Sequence, residues 1–450
     1  MSDLLPMSDL LLSYYGDDLT GSTDALEALE SRGVPSVLFT RLPTAAQRAR
    51  FQDRRALGLA GTSRSESNAW MQRELTRALM WLKAQGAPLS HYKTCSTFDS
   101  APDTGSIGCA LEIGREVFAR ASVPIVVGVP QMRRYTVFGE LYAAYRGDIY
   151  RIDRHPVMAR HPVTPMREAD LRRHLAAQTA LTVGLIDPPT LAADDVDERV
   201  TQCLADHPAV LFDVLDSAHQ AEVGRQLWRT RPQGGGLIVG SSGVEYALLD
   251  EWQRQGIIGE APSFSPVAPV ERIAVVSGSV SSTTERQIRW AEAHGFVRLA
   301  LDAERLLDDA SRETLLEDVR EQAQTALAKG DSVIVHTALG PASHQATLTS
   351  EKARHTIGKT LGELLGELIR DHALSRACVA GGDTSSHAIA ALNIHALTVR
   401  QPLPDTPGSP LCTAYSDDPA FDGLNIAFKG GQIGEDDFFG RIRHGQALPT

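Results

Sequence analysis

Short apolar, β-branched runs alternate along this chain with longer segments whose apolar residues recur every three or four positions. The short runs predict strands at 10–15, 36–39, 57–60, 89–92, 125–128, 182–186, 209–212 and 237–239. The longer segments predict helices between them, among them 23–31, 68–84, 107–119 and 218–229. Alternation of this kind predicts an α/β fold built on mostly parallel sheets with helices on both faces.

The pattern breaks at 256–271, where three prolines and two glycines rule out a continuing helix or central strand. Alternation then restarts with strands expected at 273–277, 297–301, 332–336, 377–380, 396–400 and 424–428, and helices at 283–294 and 353–371. A chain of 450 residues exceeds one ordinary domain. Two domains are expected, 1–255 and 272–450, joined by a linker at 256–271.

Composition narrows the function classes. A net charge of −12 argues against nucleic acid, whose phosphates demand a basic footprint. It leaves room for a small anionic ligand held by a few local cations and amides. The apolar runs are too short to span a bilayer, and Asp3 and Asp9 stand where a signal peptide has its basic region. A cytoplasmic protein without a membrane partner is the expectation. Five scattered cysteines without a CxxC pair argue against disulfides or structural zinc.

In open α/β sheets, ligands collect beyond the carboxyl ends of strands, and four polar turns are expected there. After the first strand comes Asp17-Asp18-Leu19-Thr20-Gly21. Its paired carboxylates can accept from substrate hydroxyls, and one can take a proton; an N-cap reading also fits Asp18. The second turn runs from Lys93 through Ser96, Thr97 and Asp99 to Gly105-Ser106, where a cation and helix-start amides suit a carboxylate or phosphate. A capping loop rich in serine and threonine would read the same way. The third, Ser277-Gly278-Ser279, lacks both the Walker A ending and the GxGxxG fingerprint. The fourth, Ala380-Gly381-Gly382-Asp383-Thr384-Ser385, bares backbone amides beside a carboxylate, as phosphoryl transfer requires. Lys429-Gly430-Gly431 follows the last expected strand.

Arg133 and Arg134 follow a strand through a loop and can meet an acidic substrate. His155 and His161, each followed by proline, have no metal-ligand spacing and fit a closing loop better than a metal site. His336, at a strand end, reads as a packed histidine.

Taken in order, the DDLTG, SGS, GGDT and KGG turns resemble the four-carbon acid sugar kinase family over nearly the whole chain. The resemblance implies a sugar-acid-binding N-terminal domain, an ATP-binding C-terminal domain and a reaction in the cleft between them. It implies Asp17, Asp18, Thr20, Lys93, Ser96 and Thr97 on the substrate side, to which the residue reading adds Arg133. On the nucleotide side it implies Ser277, Gly278, Ser279, Gly381, Gly382, Asp383, Thr384, Lys429, Gly430 and Gly431. Many members continue the lysine loop as a KxDSTLRG-type run with an arginine suited to a carboxylate. Here the loop reads Lys93-Thr94-Cys95-Ser96-Thr97-Phe98-Asp99-Ser100, without the arginine. An identical carboxylate pose is disfavoured, and a 3-oxo sugar acid, linear or branched, remains open alongside tetronates.

The expected chemistry is in-line transfer of the γ-phosphoryl of MgATP to a terminal hydroxyl of a small sugar acid. Asp18 or Asp17 would be the base, with Asp383 as rival base or Mg²⁺ partner and the metal ligands unassigned. A non-catalytic sugar-acid sensor is the alternative; an NAD-linked dehydrogenase is weakened by the missing fingerprint. Homo-oligomerisation is left open.

Overall fold

The computed structural model describes residues 10–161, 163–341, 351–403 and 405–445, with the side chains of Glu351 and Asp383 outside that set. They form two compact units. The first takes in the described residues up to Val37 and then Arg48–Pro262; the second takes in Leu38–Gln47 and the described residues from Ser263 onward.

The strands in chain order are β1 Leu12–Gly16, β2 Ser36–Phe39, β3 Ala56–Ala60, β4 Leu89–Lys93, β5 Val123–Val126, β6 Arg134–Val137, β7 Glu140–Tyr145, β8 Asp148–Arg151, β9 Val183–Ile186, β10 Ala209–Phe212 and β11 Gly236–Gly240. They continue with β12 Ala274–Ser277, β13 Phe296–Ala300, β14 Ser332–His336, β15 Arg376–Ala380, β16 Ile394–Gln401, β17 Leu411–Ser416 and β18 Asn425–Lys429.

In the first unit, seven strands pair in parallel in the order β3-β1-β4-β11-β5-β10-β9. Both faces are covered, so β1, β4, β10 and β11 read as uniformly buried runs without polar alternation. Each fully buried Leu, Ile or Val contributes roughly 1.5–3 kcal/mol, and Leu12, Leu57, Ile125 and Val239 are all at 0% exposure.

The same unit carries a small antiparallel sheet, β6-β7-β8, which the sequence reading did not predict. Its two-residue turns are Phe138-Gly139 (φ 52° and 82°) and Arg146-Gly147 (φ 49° and 98°). Positive φ at both positions is the hairpin turn that matches strand twist. Asparagine or aspartate usually marks its first position, so Phe138 and Arg146 conceal the signal.

In the second unit, β13-β14-β12-β15-β18 are parallel, while β17 and β16 continue the sheet antiparallel. Phe39 of β2 pairs with Ala396 of β16, which is why 38–47 belongs to this unit. Residues 261–270 carry neither helix nor strand, as their prolines dictate. Among the described residues, no helix is long and apolar enough to cross a membrane.

Candidate active site

The polar turns of the first unit gather at one sheet edge because their strands are neighbours. Gly16 at the end of β1 is in register with Ala60 of β3 and Lys93 of β4, and Lys93 in turn with Gly240 of β11. The residues that follow each strand therefore emerge side by side.

Asp18 caps the helix Leu19–Ser31, its Oδ1 accepting from the Gly21 amide. The helix thus starts four residues earlier than expected. The capping carboxylate is not merely solvated, because its Oδ2 accepts from Arg64 Nη1 at 2.9 Å. Asp17 is 5% exposed, and its Oδ1 is buried with no hydrogen-bond partner among the described residues. Burial and the adjacent Asp18 charge push its carboxyl up to about 7, against the opposing pull of Arg64 and Lys93. The Thr20 hydroxyl is also buried without a partner among the described residues.

Lys93 is buried, its ammonium 3.2 Å from Asp24 Oδ2 and donating to the Thr94 carbonyl at 3.1 Å. Burial opposes its charge, but Asp24, Glu245 and Asp17 outweigh this and raise its pKa. The loop beyond it turns at Phe98 (φ 54°), whose amide donates to the Cys95 carbonyl at 3.0 Å. Ser96 and Thr97 are both buried in that turn, and the Thr97 hydroxyl donates to Asp99 at 2.5 Å.

Asp99 is the residue that set this loop apart in the sequence. Its buried carboxylate accepts from Arg64 Nη2 through both oxygens at 3.0 Å and from Thr164 at 2.7 Å. Burial alone would raise its pKa; Arg64 and the Thr97 hydroxyl win and hold it down at about 2. An arginine is therefore present beside the lysine loop after all, delivered by the segment after β3. Thr164 also ties down the 152–164 loop, with His161 Nδ1 3.9 Å from Asp99.

Arg133 stands apart from this cluster. It is exposed, has φ 54°, and donates to the Gly147 carbonyl in the small sheet. A cavity of about 580 Å³ nearby is lined by Glu140, Tyr142, Arg151, Asp153 and Arg173 among others. Its Arg151 is already matched by Glu140 and Asp153.

The second unit repeats the arrangement. Ser277 of β12 is in register with Ala380 of β15, and Ala380 with Lys429 of β18, so SGS, AGGDTS and KGG leave three adjacent parallel strands. Backbone bonds join the turns: Gly278 N to the Ala380 carbonyl at 3.2 Å and Gly381 N to the Lys429 carbonyl at 2.8 Å. Gly381 has φ 116°, a conformation closed to other residues, and it opens the helix Gly382–Ala391. A side chain at Gly278 would run into Thr384 Oγ1. Ser279 and Thr284 share a 3.0 Å bond between hydroxyls, and Thr284 also donates to the Gly431 carbonyl at 3.1 Å. The Ser385 hydroxyl is buried without a partner among the described residues.

Lys429 lies beneath its glycine turn, with its ammonium donating to the Gly430 (2.7 Å) and Ile433 (3.1 Å) carbonyls. Burial lowers its pKa to about 8. Gly382 begins the helix mouth; the Asp383 side chain lies outside the described residues. His336 is packed: its Nδ1 is 3.0 Å from the Ala338 carbonyl, and Arg298 lies 3.4 Å from Nε2. All five cysteines are free thiols.

Two residues and one turn of this candidate site lie outside the sequence expectations. Arg64 lies 46 residues from Asp18 in sequence, and only the β1–β3 pairing brings them together. Thr164 acts from a loop that had been noted for its histidines. The turn Gly240-Ser241-Ser242-Gly243 after β11 is a small-residue strand-to-helix junction like SGS, a signal that was available.

Residues 12–248 match the family described as a sugar-binding N-terminal domain, and residues 274–439 match a nucleotide-binding C-terminal domain. The chain belongs to the four-carbon acid sugar kinase family. Within this kinase family, it is 47% identical over 448 residues to the 3-oxo-isoapionate kinase of Paraburkholderia graminis, covering 97% of this chain and 95% of the relative. It is 31% identical over 454 residues to the 3-oxo-tetronate kinase of Pseudomonas fluorescens, covering 97% and 98%. Two crystal structures share the fold of this chain. One, from Salmonella typhimurium, has a TM-score of 0.75 at 24% identity, covering 96% of this chain and 98% of its own. The other, from Haemophilus influenzae, has a TM-score of 0.69 at 22% identity, covering 96% and 99%.

Proposed function

We propose that this sugar-acid kinase phosphorylates a terminal hydroxyl of a branched 3-oxo sugar acid of the 3-oxo-isoapionate type, using MgATP. The observation that carries the substrate class is the near-full-length 47% identity to a 3-oxo-isoapionate kinase, against 31% or less to the 3-oxo-tetronate kinases compared. A substrate-side loop without the usual arginine, served instead by Arg64 and Asp99, fits an acceptor other than a simple tetronate.

In this reading Asp17 is the general base, in preference to Asp18. Its free, buried Oδ1 and a carboxyl poised at about 7 suit a group that takes a hydroxyl proton near neutral pH. Asp18, engaged by the Gly21 amide and Arg64, acts as a positioning residue. Thr20 and Lys93 hold the acceptor.

The amides of Gly278, Ser279 and 381–384 face the nucleotide phosphates, and Lys429 fixes the turn beside them. Mg²⁺ binds chiefly through phosphate oxygens and water, with few protein ligands. The unpartnered Ser385 hydroxyl, together with Asp383 in the same helix turn, fits that modest demand. When bound, the metal would neutralise charge on the phosphates. Mass spectrometry and ³¹P NMR of the product from 3-oxo-isoapionate and MgATP test the assignment. One phosphate on a primary hydroxyl is expected; no phosphorylated acid, or better turnover of 3-oxo-tetronate, contradicts it.

A further inference from the structure

The cations of the acceptor site divide into matched and unmatched. Arg64 is held by Asp18 and Asp99, and Lys93 by Asp24. Neither has a full charge left for a substrate carboxylate. Asp17, Asp18, Asp24 and Asp99 also leave this corner rich in negative charge.

Arg134, at the start of β6, is different. It is half-buried, and among the described residues it forms no ion pair. One Nη donates only to the Met132 (3.0 Å) and Arg133 (3.3 Å) carbonyls. Its Nε is buried with no hydrogen-bond partner among the described residues. Burial and the neighbouring Arg133 charge both work against its protonation, with Cys95 opposing them. Met132, two residues before Arg134, lies with its Sδ 3.7 Å from the Ser242 hydroxyl in the turn after β11, whose Gly240 is in register with Lys93, and this brings the start of β6 to the lysine loop.

A second donor stands against the same small sheet. The His155 ring packs edge-on to Tyr145 with 5.5 Å between ring centres, and Tyr145 belongs to β7, the strand paired with Arg134. His155 is 4% exposed, and its Nδ1 accepts from the Val157 and Met158 amides at 3.2 Å each. The neutral ring must therefore carry its proton on Nε2. That nitrogen is buried and makes no well-aligned hydrogen bond among the described residues, although the Ala144 carbonyl pulls on the ring and favours its charged form. The Arg134 charge helps burial to keep the ring neutral. A buried guanidinium without an anion is costly, and an incoming carboxylate removes the cost while forming charge-assisted bonds.

We infer that Arg134, assisted by His155 Nε2, is the seat of the acceptor's carboxylate. The inference rests on the reading that the acceptor is a sugar acid. It assigns recognition of the acid group to a segment outside the lysine loop, where the usual arginine is missing.

The test compares binding of 3-oxo-isoapionate and its primary amide to wild type, R134Q, R134K and R133Q by calorimetry, with melting curves to confirm folding. Wild type should prefer the acid. R134Q should lose about 10- to 100-fold on the acid and little on the amide, and R134K should keep part of the preference. An unchanged acid-to-amide ratio in R134Q, no preference in wild type, or a loss confined to R133Q overturns the inference. ADP release is recorded separately. A wild type that binds the acid through Arg134 but releases no ADP contradicts the kinase reading and leaves this assignment standing.

Discussion

Arg64 Nη2 lies 3.0 Å from each carboxylate oxygen of Asp99. The Asp99 side chain is fully buried and that of Arg64 is 26% exposed. Removing the cation leaves a buried acid unmatched, which costs about 3 kcal/mol before solvent reaches the exposed side. R64Q should destabilise the first unit by about 2–3 kcal/mol. R64Q with D99N should recover part of that loss, because the charge is removed with its partner. Urea denaturation in a double-mutant cycle measures this; strictly additive losses would show that the pair is not coupled.

Asp17 makes activity and stability depend on pH in opposite directions. As the base it must be ionised, so kcat should rise with pH to a plateau, with an apparent pKa near 7. Its folded pKa is raised above the unfolded value near 3.8. The associated stability is therefore full below about pH 4 and lost as pH rises through 7. D17N should abolish turnover and flatten that part of the stability profile. A D17N enzyme with a normal acid limb would move the base elsewhere.

The second unit supplies a steric test. A methyl group at Gly278 meets Thr384 Oγ1, so G278A should raise the KM for ATP at least tenfold by displacing the turn. Removing the hydroxyl relieves the collision, and G278A with T384A should bind ATP better than G278A alone. Steady-state kinetics with varied ATP decide this; a double variant as poor as G278A argues against the contact.

Lys429 gives a proton-linkage test. Burial holds its folded pKa at about 8, below the usual lysine value. The charged form is thus disfavoured, a penalty that fades as pH rises from 8 towards 10.5. Phosphates bound beside it restore the charge. ATP binding at pH 8 should therefore take up about half a proton, read by calorimetry in buffers of different ionisation enthalpy. K429M should show no such uptake at this site. Equal uptake in both proteins would separate Lys429 from the phosphates.

The glycine and serine turns of the second unit were legible because strand-turn-helix junctions announce themselves locally, as Ser277–Ser279 and Gly381–Thr384 do. Their convergence depends on the strand order β12-β15-β18, which short-range pattern cannot reveal. The polar cluster of the first unit was less legible for the same reason. Asp17 and Lys93 stood out at strand ends, yet Arg64 and Thr164 join their cluster only through register and loop packing. The small antiparallel sheet was hidden by Phe138 and Arg146 in turns that usually carry asparagine or aspartate. It is this sheet that sets Arg134 apart from Arg133, a distinction that two adjacent arginines in a sequence do not offer.

The central claim, that this chain transfers phosphate from ATP to a 3-oxo sugar acid, is tested most directly by coupled ADP release. The assay uses MgATP with 3-oxo-isoapionate or 3-oxo-tetronate, for wild type and D17N. The account predicts acid-dependent ADP release with the higher kcat/KM for 3-oxo-isoapionate, abolished in D17N. ATP binding without acid-dependent ADP release from the folded wild-type protein would contradict it.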